Sequence, residues 1–107
     1  MTTPDASRPA LETLTNDQFA PLVNQWFELR ELDATLPLEL ITAEPLGGQA
    51  RFGHHRQPFH LIFRGPPAPL LPQRIYALNH AAVGLLDIFL VPIGPDDRGQ
   101  CYEAIFS

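Results

Sequence analysis

The sequence predicts a mainly β protein: a small antiparallel β-barrel or sandwich of about six strands with a short N-terminal helical segment. Three observations carry this. Apolar residues recur at every second position from Trp26 onward, which is the period of a half-buried strand and not of a helix. Twelve prolines and seven glycines punctuate the 107 residues and keep helices short, because proline lacks an amide proton and clashes with the preceding turn. The strand-like runs are also short and evenly spaced, as in small barrels and sandwiches.

Residues 1–10 are polar and proline-bearing and read as a flexible tail; residues 11–107 read as a single β domain. Leu11 to Val23 holds the helix signal. Thr15 followed by Gln18 is a capping box, and Leu14 and Phe19 stand at hydrophobic-staple spacing around it. Pro21 falls too deep for an unbroken helix, so one or two turns are expected, with Asn24 as a left-handed cap. Leu14, Phe19, Leu22 and Val23 would plug one end of the sheet.

In the first strand Phe27 and Leu29 point one way and Glu28 and Arg30 the other. Asp33-Ala34 reads as a turn. Leu36, Leu38 and Leu40 alternate with Pro37, Glu39 and Ile41 in the second strand, with Pro37 near its start, where a strand tolerates it. Glu44 to Pro58 has glycines, a proline and few apolar anchors and reads as a long mobile connection. Phe59, Leu61 and Phe63 define a third strand. Gly65-Pro66-Pro67-Ala68-Pro69 can form neither sheet nor helix and reads as an extended, polyproline-like loop. Tyr76 and Leu78 point inward from the fourth strand. Leu85 to Val91 is apolar on both faces except at Asp87, so a central strand covered on both sides is expected. A turn cluster over Gly94–Gly99 precedes a last strand with Tyr102, Ala104 and Phe106 inward.

Composition excludes several classes. The formal charge is −5, and the seven basic residues are all arginine. An acidic domain without a basic run lacks the cations that displace counterions from nucleic acid, and it lacks equally what anionic lipid attracts. Neither nucleic acid nor membrane is expected as a partner. Cys101 is the one cysteine, so no intramolecular disulfide can form. The N-terminus has no signal-peptide core, and no apolar run approaches the roughly 20 residues of a membrane helix. A cytoplasmic location is expected.

Few residues invite chemistry. His54, His55 and His60 raise the question of a metal, but adjacent strand histidines face opposite ways and no standard zinc spacing accompanies them. Cys101 with His80 as base would need a lowered thiol pKa and hydrogen-bond reach; a small apolar filler is the plainer reading. Asp96, Asp97 and Glu103 lack the ligand alternation of a calcium loop. No catalytic residue, cofactor or metal is therefore expected. Asp87 reads as a buried acid that needs a cation, with Arg64 or Arg74 as the partner. Trp26, Phe63 and Tyr76 could line a pocket, although aromatics at strand spacing are usually core. Pro66, Pro67, Pro69, Leu70 and Leu71 form the candidate partner surface, since a stiff proline segment loses little entropy on docking; the same leucines could instead pack inward.

One string of residues carries a resemblance: Phe63-Arg64-Gly65-Pro66, Leu71-Pro72-Gln73, Ile75-Tyr76, Leu78, His80, Gly84, Phe89-Leu90-Val91-Pro92, Gly94-Pro95-Asp96, Gly99, Tyr102-Glu103-Ala104 and Phe106. With Leu14-Thr15, Phe19, Pro21, Val23, Phe27 and Leu29 in front, it resembles a family of small, functionally uncharacterised bacterial domains, over residues 11–107. Asn24 and Arg74 stand where that family favours glycine, and residues 47–56 form a longer insert. The resemblance implies an accessory role near phage-tail-like, collagen-repeat proteins. The function expected is thus a non-catalytic interaction or assembly module. It would bind a protein partner, or a second copy as a homodimer, through the proline loop and a free sheet edge. The alternatives are a small-molecule-binding barrel and a hydrolytic enzyme using Asp87, His80 or Cys101.

Overall fold

A computed structural model describes residues 11–31, 34–47 and 57–107. Period-two patterning appears as six strands: β1 (Trp26–Arg30), β2 (Thr35–Pro45), β3 (Phe59–Gly65), β4 (Arg74–His80), β5 (Gly84–Pro95) and β6 (Gln100–Phe106). All neighbours pair antiparallel, and the order β1-β2-β3-β6-β5-β4 closes on itself through β1 and β4. Closure pairs both edges of every described strand, so among the described residues the sheet offers no free edge of the kind expected as a docking site.

A closed sheet has one interior, and the alternating residues fill it. Phe27 and Leu29 of β1, Leu38 and Leu40 of β2, Phe59, Leu61 and Phe63 of β3, Tyr76 and Leu78 of β4, Leu86, Ile88 and Leu90 of β5 and Tyr102, Ala104 and Phe106 of β6 are all buried. Phe27 meets Phe63 edge-on with ring centroids 5.2 Å apart, the geometry that aromatic quadrupoles favour. The sequence expectation for β5 fails here. Its outward residues are not covered by a second layer: Asp87 and Phe89 are exposed, and Leu85 and Val91 only half-buried.

The helical segment is short, as Pro21 dictates: one α-turn, α1 (Asn16–Phe19), between 3-10 turns at Leu11–Thr13 and Ala20–Leu22. The Thr15 amide donates to Gln18 Oε1 at 2.7 Å, half of the reciprocal cap. Asn24 has a φ of 75°, the left-handed conformation that asparagine tolerates. Phe19 is fully buried against the stacked pair Phe59–Phe106, whose centroids are 4.7 Å apart. The helical segment therefore closes that end of the barrel.

The β2–β3 connection is shorter than expected. β2 and β3 pair as far as Pro45 and Phe59, and the Leu46 amide still donates to the Pro58 carbonyl at 2.8 Å. Residues 48–56 of the expected connection, the tail at residues 1–10, the Asp33 half of the first turn and the pair His54 and His55 fall outside the described residues. The loop of residues 66–73 leaves the opposite end of the β3–β6 ladder and contains a cis Ala68–Pro69 peptide. It divides its two leucines: Leu71 is buried and Leu70 is 60% exposed.

Candidate functional site

Among the described residues the interior is occupied by packed apolar side chains. Phe63 and Tyr76 are core residues, whereas Trp26 is 58% exposed on the outer wall. Phe63 and Tyr76 thus follow the core reading, and Trp26 does not join them in a pocket, because β1 turns it outward in phase with Glu28 and Arg30. That signal stood in the sequence: Phe27 and Leu29 claim the inward phase, and adjacent strand residues face opposite ways.

The reactive residues do not converge. Cys101 pairs in register with Gly94 near one end of β5, and His80 pairs with Gly84 at the other. Ten positions of β5 separate these two register points, so the thiol and the imidazole sit at different ends of the strand. Burial pushes the Cys101 thiol up, with Asp96 adding to it, the opposite of nucleophile activation. His80 is held structurally. Its Nδ1 accepts the Ala82 amide proton at 2.9 Å, so Nε2 carries the hydrogen donated to Gln25 Oε1 at 2.8 Å.

The charged residues form pairs that the sequence could not place. Asp87 is exposed, not buried, on the outer face of β5. Arg64 turns to Asp96 and Glu39, at 2.9 and 3.3 Å, and Arg74 contacts Glu31 and lies over the Tyr76 ring. The Asp96 carboxylate also accepts the Arg98 and Gly99 amides at 2.8 and 2.9 Å. Those bonds hold it at about 2, below the usual carboxylate range, with the Arg98 amide contributing most. Its oxygens are thus engaged in closing the β5–β6 turn. Glu103 binds His60 Nδ1 at 2.8 Å. Among the described residues, no group of three histidine, cysteine or acidic side chains could hold a metal ion.

The proline loop is fixed by two tyrosines. The Leu71 amide donates to the Tyr102 hydroxyl at 3.0 Å, and the Tyr76 hydroxyl donates to the Pro72 carbonyl at 2.5 Å. Burial pushes the Tyr102 phenol up, while the Leu71 amide opposes that shift. The loop therefore presents Pro67, Pro69 and Leu70 outward and uses Leu71 as an anchor. Of the predicted partner surface, Leu71 must be withdrawn.

What the structure adds is an apolar outer wall. Ile75 of β4 pairs in register with Phe89 of β5. The β5–β6 register, Val91 against Glu103, brings Phe89 level with Ile105, and these two line one groove with Leu11. Ile75, Phe89 and Ile105 are 63%, 48% and 61% exposed. Sequence phase contains this signal too: each alternates with inward neighbours on its own strand.

The wall and filled interior define a class: a small closed β-barrel whose distinctive features lie on its surface. The chain belongs to the DUF6916 family, a domain of unknown function, whose family model matches residues 14–106. Comparison with curated proteins and with solved structures found no match. No helix among the described residues is long and apolar enough to cross a membrane.

Proposed function

We propose that this domain is a non-catalytic interaction or assembly module whose principal docking surface is the wall of Ile75, Phe89 and Ile105. One observation carries the reading. Three large apolar side chains stand side by side on adjacent strands and face solvent. Monomeric proteins rarely leave such contiguous surface open, and where they do it marks an interaction site. Asp87 and Glu103 border the patch on the same strands, giving the polar rim typical of a protein interface. The fitting partner is a protein with an apolar face of its own. The family resemblance points to phage-tail-like assemblies as its setting, and a single buried thiol fits a cytoplasmic one.

The small-molecule reading loses its support with the filled interior, since a barrel this narrow packs itself with side chains. The test is co-purification from native cells of the wild-type domain beside Phe89→Asp and Ile105→Asp. Both positions are exposed, so both variants keep the wild-type far-ultraviolet spectrum. One stoichiometric partner retained by the wild type and lost from both variants is expected. A partner held equally by all three would refute the wall as the docking surface.

A further inference from the structure

We propose that the groove beside Trp26, on the outer face of β1, β2 and β3, is a saccharide site in which a neutral sugar ring lies against the indole and bridges Glu39 and Arg64. Strand register builds it. Trp26 of β1 pairs with Glu39 of β2, and Glu39 pairs with Arg64 of β3, so the three side chains form one row on one face. At ordinary strand spacing the row spans about 10 Å. The apolar wall occupies β4, β5 and β6, the other half of the ring, and this inference does not rest on it.

The groove holds about 420 Å³ and is lined by Trp26, Pro37, Glu39, Arg64, Pro66 and Arg98. Its polar groups are fixed before any ligand arrives, as a binding constellation requires. The Arg64 and Glu39 side chains are only 15% and 20% exposed. Arg64 is clamped from two directions: Nε donates to Asp96 at 2.9 Å, and Nη1 donates to Glu39 Oε1 at 3.3 Å. A guanidinium carries five N–H donors and a carboxylate two acceptor oxygens. Among the described residues, these bonds leave Arg64 Nη2 and Glu39 Oε2 without a partner. The indole, 58% exposed, stands beside them as an apolar plate.

This set of groups selects its ligand. Glu39 repels a free carboxylate or phosphate, while Arg64 and Arg98 repel a cation. Glu39 and Asp96 set against Arg64 and Arg98 leave the groove near neutral. A wholly apolar ligand would strip water from the ion pair and return no hydrogen bond, which is costly. A pyranose meets every group. Each of its hydroxyls both donates and accepts, so one hydroxyl gives its proton to Glu39 while its neighbour accepts from Arg64. The C–H bonds of the sugar's flat side lie on the negative π face of the indole.

Trp26 is the sole tryptophan, so its emission reports this groove. The experiment titrates the full chain with cellotriose, maltotriose and tri-N-acetylchitotriose, and separately with acetate, inorganic phosphate and an all-proline peptide. Emission is read for the wild type. Saturation-transfer NMR is read for the wild type, Trp26→Ala, Trp26→Phe, Glu39→Gln and Phe89→Asp. Trp26 is exposed, so its variants keep the fold, which far-ultraviolet circular dichroism checks. Expected is an emission change that saturates with at least one trisaccharide. Trp26→Ala weakens that binding at least tenfold, Trp26→Phe retains part of it, Glu39→Gln weakens it severalfold, and Phe89→Asp leaves it unchanged. No saturable response to any of the three sugars would overturn the proposal. Sugar binding indifferent to Trp26→Ala would overturn it as well, since the sugar then sits elsewhere. A response to acetate or phosphate alone makes the groove an anion site, and a response to the peptide alone makes it a peptide site; either refutes the saccharide reading.

Discussion

Tyr102→Phe tests the loop anchor with a single atom. The hydroxyl oxygen of Tyr102 accepts the Leu71 amide proton at 3.0 Å, and both residues are buried. Phenylalanine keeps the ring and its packing but leaves that amide without an acceptor. A made hydrogen bond contributes only about 1 kcal/mol net, whereas an orphaned buried donor costs about 1–3 kcal/mol. In a domain of this size each kcal/mol moves Tm by about 4–8 °C. The expected result is therefore a Tm lowered by at least about 4 °C, with faster hydrogen exchange at the Leu71 amide. Tyr76→Phe is the internal comparison. It frees the Pro72 carbonyl, but Pro72 is exposed and water can replace the phenol, so the loss stays below about 1 kcal/mol. Thermal unfolding by circular dichroism and amide exchange by NMR read both effects. A Tyr102→Phe protein that melts with the wild type and still protects the Leu71 amide would refute the reasoning. So would a larger loss from Tyr76→Phe than from Tyr102→Phe.

Three further outcomes follow from the barrel's rim and interior. Gly99→Ala places a Cβ 2.1 Å from the Gly65 carbonyl oxygen, so β3 and β6 must part. Calorimetry should show a loss above about 2 kcal/mol, whereas Gly47→Ala, which meets nothing within 4 Å, stays within about 0.5 kcal/mol. The Asp96 carboxyl lies at about 2 when folded, against 3.8 as its ordinary value. A depressed folded pKa stabilises above the unfolded value and fades as pH falls through the folded one. Tm should thus decline from about pH 4 toward pH 2, and Asp96→Asn should flatten that limb; an unchanged slope would remove Asp96 as its source. Cys101 is buried with its thiol pushed up, so a thiol reagent at mildly alkaline pH should label it only as fast as the barrel opens. Rapid labelling of the folded protein would contradict that.

Local pattern reached far in this chain because strand phase is a local property. Phe27 and Leu29, Leu38 and Leu40, Phe59, Leu61 and Phe63, Tyr76 and Leu78, and Tyr102, Ala104 and Phe106 all face inward as their alternation predicts. Pro21 shortens the helical segment, and Asn24 takes the left-handed turn. Phase outranks residue type at Trp26: it shares its aromatic chemistry with Phe63 and Tyr76, but its own strand turns it to solvent.

Closure belonged to the tertiary structure alone. A run such as Leu85 to Val91 is apolar on both faces, and periodicity cannot say whether a second layer covers the outer one. Only the pairing of β1 with β4 decides that the sheet has a single inside, and so leaves Phe89, Ile75 and Ile105 in solvent. The ion pairs were equally out of reach. Arg64 and Asp96 stand thirty-two positions apart, and which acid an arginine meets depends on strand register, not on either residue's neighbours. The sequence by itself determined which side chains avoid water. The closed sheet decided where the remaining apolar surface had to go, because a barrel this narrow has interior room for one face of each strand and no more.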